Sequence, residues 1–144
     1  MVRVVNDSMT IAGRLRPVLL RLARELRREI HSLGITGGQV SLLGSIKHHP
    51  GITATELAEQ ERISAPGMSG QLVRLEAAKL IERTRASDRR RIGLYLTPEG
   101  EKVLKSVRNR RTAWLVSRLE RLEPEERERI EQSVEALERL LGDE

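Results

Sequence analysis

Cysteine is absent from the 144 residues, so no disulfide, thiol-based redox switch or thiolate metal site can form. Aromatics are nearly absent too: with one Trp, one Tyr and no Phe, any ligand cavity is aliphatic rather than an aromatic cage. No apolar run approaches the roughly 18 residues of a membrane span. Met1-Val2-Arg3-Val4-Val5-Asn6 is too short for a signal-peptide core, so a cytoplasmic protein is expected. Histidine is sparse, at His31, His48 and His49 only. Adjacent His48 and His49 diverge by about 100° on a helix and have no acidic cluster beside them; they read as capping or surface residues, and no metal is expected. The chain also lacks G-x-x-x-x-G-K-[ST], G-x-S-x-G and H-E-x-x-H, and has no apolar-flanked pair of carboxylates. It is therefore not read as an enzyme, and no cofactor is expected.

Arginine is what the chain has in quantity. Lys and Arg number 26 against 21 acids, for a net charge of +5, and 22 of those cations are Arg. The planar guanidinium fork suits phosphates and base edges better than an ammonium does. Residues 82–91 are the densest basic run, with five Arg against two acids. Elsewhere Arg alternates with Glu, as in Arg24-Glu25-Leu26-Arg27-Arg28-Glu29 and Glu125-Glu126-Arg127-Glu128-Arg129, the pattern of a solvated helix face.

Helix punctuation is explicit. Asp7 or Ser8 can cap a helix reaching about His31, with Leu15, Leu19, Leu22, Leu26 and Ile30 on one stripe; Pro17 predicts a kink or a shifted start. Thr36-Gly37-Gly38-Gln39 is a T-x-x-Q capping box opening a second helix, from which Val40, Leu43 and Ile46 face inward and which His48-His49-Pro50-Gly51 closes. Thr53-Ala54-Thr55-Glu56 is a T-x-x-E box, flanked by Ile52 and Leu57 at hydrophobic-staple spacing. Ser64 can cap the next helix, with Pro66 in its first turn and Met68, Leu72, Leu75 and Lys79 on one stripe. Ile81 to Ala86, a turn at Ser87-Asp88-Arg89-Arg90, and the alternating Arg91 to Leu96 form a basic hairpin. Thr97-Pro98 starts a helix burying Val103, Val107, Leu115, Leu119 and Leu122; Pro124 restarts the chain with Ile130, Val134, Leu137 and Leu141 on one seam. Helix, turn, helix and basic hairpin is the layout of a winged helix-turn-helix. The terminal helices carry more apolar stripe than such a lobe can cover, which predicts a second copy of the chain.

Four segments carry a family resemblance. They are Thr53-Ala54-Thr55-Glu56-Leu57-Ala58-Glu59, Leu75-Glu76-Ala77-Ala78-Lys79-Leu80-Ile81-Glu82-Arg83, Asp88-Arg89-Arg90, and Leu96-Thr97-Pro98-Glu99-Gly100. In this order and spacing they resemble the MarR family of bacterial winged-helix regulators. The resemblance implies one mainly α domain with a small β-wing over residues 1–144. Residues 8–33 and 98–141 are then mainly dimerisation helices, and 36–97 the DNA-binding lobe. It further implies a cytoplasmic homodimer whose first, fifth and sixth helices interlock. Its two lobes would grip double-stranded DNA at a pseudopalindromic operator, with half-sites roughly 10 bp apart. Members usually repress, and many release DNA when a small aromatic or amphipathic molecule binds between the dimer body and the lobe.

By position, the resemblance assigns Ser64, Ala65, Pro66, Gly67, Ser69, Gly70 and Arg74 to the groove-facing side of the recognition helix. Ser64 doubles as a plain helix cap. Gly70 stands where relatives often carry Arg, which removes a guanine contact and costs about 1 kcal/mol of helix stability against Ala. Gln71 has two readings, an adenine contact or a packed residue with its amide at the rim. In the wing, Asp88 is expected to hold Arg90 extended into a minor groove, flanked by Arg89 and Arg91 on phosphates, with Arg83 and Arg85 on the incoming strand. Its bland alternative is a solvated hairpin tip with a local ion pair. Glu61-Arg62 replaces the usual Leu-Gly of the helix-turn-helix turn, which predicts a rebuilt turn. Trp114 reads as a core residue or a wall of an effector cavity. Two rival functions remain: a metal-responsive regulator on the same fold, disfavoured by the missing soft ligands, and a winged-helix protein-interaction module, disfavoured by the arginine-rich tip.

Overall fold

A computed structural model describes residues 7–85 and 91–142. The expectations for Asp88, Arg89 and Arg90 lie outside these described residues. The chain forms α1 (Ser8–Glu29), a 3₁₀ turn (His31–Leu33), α2 (Gly37–His48), α3 (Ala54–Glu61), α4 (Ala65–Ala77), β1 (Ile81–Arg85), β2 (Ile92–Leu96), α5 (Pro98–Leu119) and α6 (Pro124–Arg139).

Local capping sets most of these starts. The Asp7 carboxylate accepts the Met9 N–H at 3.0 Å and the Thr10 hydroxyl at 3.2 Å. Pro17 neither shifts this start nor interrupts α1, since it deletes only one ladder bond from a 22-residue helix. At α2 the capping box is complete: Thr36 Oγ1 accepts the Gln39 N–H and Gln39 Oε1 accepts the Thr36 N–H, each at 3.1 Å. At α3 only half of the expected box forms. Thr53 Oγ1 accepts the Glu56 N–H at 3.2 Å, but Glu56 Oε1 takes the Thr53 hydroxyl at 2.9 Å instead of the Thr53 backbone N–H. Thr97 caps α5 by accepting the Gly100 N–H at 3.0 Å.

The core sits in the lobe. Apart from Ile30 and Val107, every buried apolar residue lies between Ile35 and Leu94, with Leu43, Ile46, Leu57 and Leu72 fully enclosed. Ile52 and Leu57 both bury, as their staple spacing requires. Leu42 is buried as well, a position outside the expected α2 stripe, because α2 is flanked by both α3 and α5. Lys79 departs from the expected stripe: α4 ends at Ala77, and Lys79 turns left-handed (φ 62°) and stays exposed.

The hairpin pairs antiparallel from Ile81↔Leu96 to Arg85↔Ile92. A third backbone segment, hidden in what reads locally as a turn, joins it. Gly51 N–H donates to the Leu94 carbonyl and Leu94 N–H to the Ile52 carbonyl, each at 2.9 Å. Gly51 (φ 87°) and Gly93 meet backbone to backbone there; a Cβ on Gly93 would lie 3.0 Å from Gly51 Cα. The wing root is thus hydrogen-bonded to the α2–α3 connection.

The terminal helices differ. Neither α1 nor α6 contains a buried residue, and α6 makes only sparse contact with the rest of the chain. Leu115, expected to be buried, is exposed; so are Leu19, Leu22, Ile130 and Val134 of the terminal stripes, which the lobe was not expected to cover. Val107 alone of the expected α5 set is buried; Val103, Leu119 and Leu122 are half-buried.

Candidate nucleic-acid interface

Helix α4 shows two faces. Met68, Leu72 and Leu75 point into the core, while Ser64, Ala65, Pro66, Gly67, Ser69, Gly70 and Arg74 are all exposed. Ser64 Oγ accepts the Gly67 N–H at 3.2 Å, so it is a helix cap whatever else it does. The two glycines have different causes. A Cβ on Gly67 would press within 3.0 Å of the capping hydroxyl, whereas a Cβ on Gly70 would meet nothing within 4 Å. Nothing inside the protein demands glycine at 70, and its lack of a side chain leaves the outer face flat there.

Gln71 is half-buried and its Oε1 is enclosed without a hydrogen-bond partner, the packed arrangement rather than an exposed reader. Val73 was not anticipated. It is 58% exposed and follows Ser69 by four and Gly70 by three residues, on the same outer face. The signal for it was helical spacing alone. An exposed aliphatic group there suits the methyl of a thymine.

The helix-turn-helix turn is not rebuilt. Arg62 itself adopts the left-handed conformation (φ 55°, ψ 45°) that closes α3. Glu61 explains how a polar residue replaces an apolar one beside it. Its carboxylate accepts the Ser41 hydroxyl at 3.0 Å and the Ser45 hydroxyl more closely still, tying the end of α3 to α2. Gln60 adds a bond to Ser45 Oγ at 3.4 Å.

In the wing, Arg83 and Arg91 are not simply presented to solvent. Arg83 Nε donates to Glu76 Oε2 of α4 at 2.7 Å, and Arg91 Nη2 lies 2.5 Å from Glu56 Oε1 of α3. Both arginines border a groove of about 490 Å3 together with Thr53, Ala54 and Thr55 at the N-terminus of α3. Arg85 is exposed at the last paired position of β1. These arginines, the α3 N-terminus and the outer face of α4 belong to one lobe, whose α3 and α4 pack on each other while β1 packs on α4.

Behind the wing, the Leu96-Thr97-Pro98-Glu99-Gly100 segment locks it to α5. Thr97 donates its hydroxyl to the Lys79 carbonyl at 2.7 Å, and its N–H to the Leu80 carbonyl at 3.1 Å. A Cβ on Gly100 would stand 2.3 Å from that Leu80 oxygen, so only glycine fits.

A second groove, about 470 Å3, runs between α2 and α5. Val40, Leu104, Val107 and Leu115 supply its apolar wall, Lys47, Arg108 and Arg111 its cationic side, and His48 lines it as well. Lys47 is paired with Glu101 at 3.1 Å, and His48 Nδ1 contacts the Gly44 carbonyl at 2.7 Å, the capping role expected of it. Arg111 Nε is enclosed without a partner. Trp114 does not line this groove; it is half-buried, with the Arg118 guanidinium 4.5 Å from its ring centre. Among the described residues no group of three or more His, Asp or Glu is placed to hold a metal, and no helix is long and apolar enough to cross a membrane.

Comparison with known proteins agrees with this geometry. The sequence profile of the MarR family matches residues 33–92. The HTH-type transcriptional repressor MdtR of Bacillus subtilis is 31% identical, over 78% of this chain and 73% of its own. A Pseudomonas aeruginosa protein assigned as a transcriptional regulator superposes with TM-score 0.84 at 30% identity, covering 97% of this chain and 99% of that one. A mutant of MepR from S. aureus, bound to an oligodeoxyribonucleotide, superposes with TM-score 0.71 at 25% identity over 91% of this chain and 97% of its own.

Proposed function

The chain belongs to the MarR family of transcription regulators, and from that premise we propose that it is a cytoplasmic homodimeric repressor. It binds a pseudopalindromic operator and is released by a small organic ligand. The observation that carries the DNA reading is the outer face of α4. Ser64, Ser69, Gly70, Val73 and Arg74 are exposed there, in the same lobe as the arginines of the wing. Base reading falls on Ser69, Val73 and Arg74, since Gly70 offers no side chain and Gln71 is packed. Arg85, Arg89 and Arg90 supply the charge, with Asp88 orienting Arg90, while Arg83 and Arg91 stay paired with Glu76 and Glu56.

Dimerisation is supported by the uncovered stripes of α1 and α6, which expose Leu19, Leu22, Ile130 and Val134. Two lobes related by a two-fold axis then meet half-sites roughly one helical turn apart. Ligand release is supported by the groove between α2 and α5. Its aliphatic wall and the unpartnered Arg111 Nε suit an organic anion with an apolar body.

Selection of genomic DNA fragments by the purified protein tests the reading, run at two salt concentrations and repeated with Arg90→Ala. A two-fold-symmetric motif, weakened by Arg90→Ala, is the expected result. Weak, motif-free binding that Arg90→Ala leaves unchanged overturns it in favour of a protein-interaction module.

A further inference from the structure

The wing root carries an arrangement that the DNA-binding role does not require. A lobe that needs cations has neutralised two of them with its own carboxylates: Glu76 holds Arg83 at 2.7 Å and Glu56 holds Arg91 at 2.5 Å. Both pairs are about one-third to one-half exposed, with side-chain accessibilities between 33% and 47%, so they contribute little to folding. Glu56 is anchored by the Thr53 hydroxyl at 2.9 Å, and each acid comes from a different helix of the helix-turn-helix. Glu56 even forgoes the second half of its capping box in this arrangement.

We propose that Glu56 and Glu76 are specificity-determining residues of the DNA complex, an inference that rests on the DNA-binding reading above. They act in two ways. By occupying Arg91 and Arg83 they withhold two cations from phosphates, and neutralising phosphates is the sequence-independent part of DNA affinity. By tying the wing root to α3 and α4 they also fix the wing relative to the recognition helix, so that both reach the duplex in one register. Random DNA gains nothing from the second effect, because it has no preferred register to satisfy. Removing the carboxylates therefore helps random DNA more than it helps the operator.

The test is a salt titration of binding to random-sequence DNA and to the genomically selected fragment. It compares wild type, Glu56→Gln, Glu76→Gln, the double variant, and Glu82→Gln, which makes the same charge change on β1. The double variant is expected to bind random DNA roughly tenfold tighter or more, with a salt slope steeper by about 0.9 per arginine released. The ratio of selected to random affinity should fall. Arg83→Gln placed on Glu76→Gln should erase that variant's gain, since the gain runs through Arg83. An unchanged slope, an equal gain from Glu82→Gln, or a gain that survives Arg83→Gln overturns the proposal. Wild-type protein that binds no DNA at low salt overturns the DNA-binding reading itself, and is told apart because it precedes any comparison of variants.

Discussion

The winged lobe and the terminal helices are written in the same sequence language but closed by different means. In both, apolar residues recur every three or four positions. Along α2, α3 and α4 those stripes meet one another, and Leu43, Ile46, Leu57 and Leu72 lose all contact with solvent. Along α1 and α6 the same periodicity leaves Leu19 and Val134 each 44% exposed, with no buried residue in either helix. Periodicity reports that a helix has an apolar face; it does not report who covers it.

Substitution at matched positions sharpens that contrast. Leu43→Ala should have the largest effect. It removes a fully enclosed side chain and is expected to cost about 2–5 kcal/mol, read by urea unfolding. The deficit should be independent of protein concentration, because the lobe closes its own core. Gly100→Ala should come next. Its Cβ would overlap the Leu80 carbonyl, and the forced shift is expected to cost about 1–3 kcal/mol in the same assay. Smallest for the lobe is the paired change Ile130→Asp and Val134→Asp in α6. Both side chains are over 40% exposed, so the lobe's own unfolding should move by no more than about 0.5 kcal/mol. Sedimentation velocity should nevertheless shift the protein from dimer toward monomer. A concentration-dependent deficit in Leu43→Ala, or an unaltered sedimentation coefficient in the α6 variant, would break the comparison.

What the sequence disclosed follows the range of the interactions involved. Caps at Asp7, Thr36, Ser64 and Thr97 were legible because donor and acceptor lie within three residues of each other. The outer face of α4 was legible for the same reason, although Val73 needed the helix phase rather than the residue type to find it. The bridge from Gly51 and Ile52 to Leu94 was not legible, since nothing in His48-His49-Pro50-Gly51 announces a strand partner some forty residues away. Nor were the partners of the wing arginines. Arg83 and Arg91 read as cations available to DNA, and only the packing of β1 and β2 against the helices brings Glu76 and Glu56 to them. The turn at Arg62 shows the opposite error. Propensity predicted a rebuilt connection, yet a non-glycine residue keeps the left-handed geometry, with Glu61 bonded to two serines of α2 beside it.

The close backbone contact of Gly51 with Gly93 has a mechanical consequence. Five paired positions run from Ile81↔Leu96 to Arg85↔Ile92, which makes the ladder an arm about 17 Å long. Gly51 grips that arm near its middle, and the Leu80 carbonyl and Gly100 fix its base. A tilt of about 7° at such a base would carry the far end through about 2 Å, enough to convert a hydrogen bond into a gap. Side chains on either glycine would force the arm away from its rest, so their smallness sets the aim of everything the arm carries at its tip.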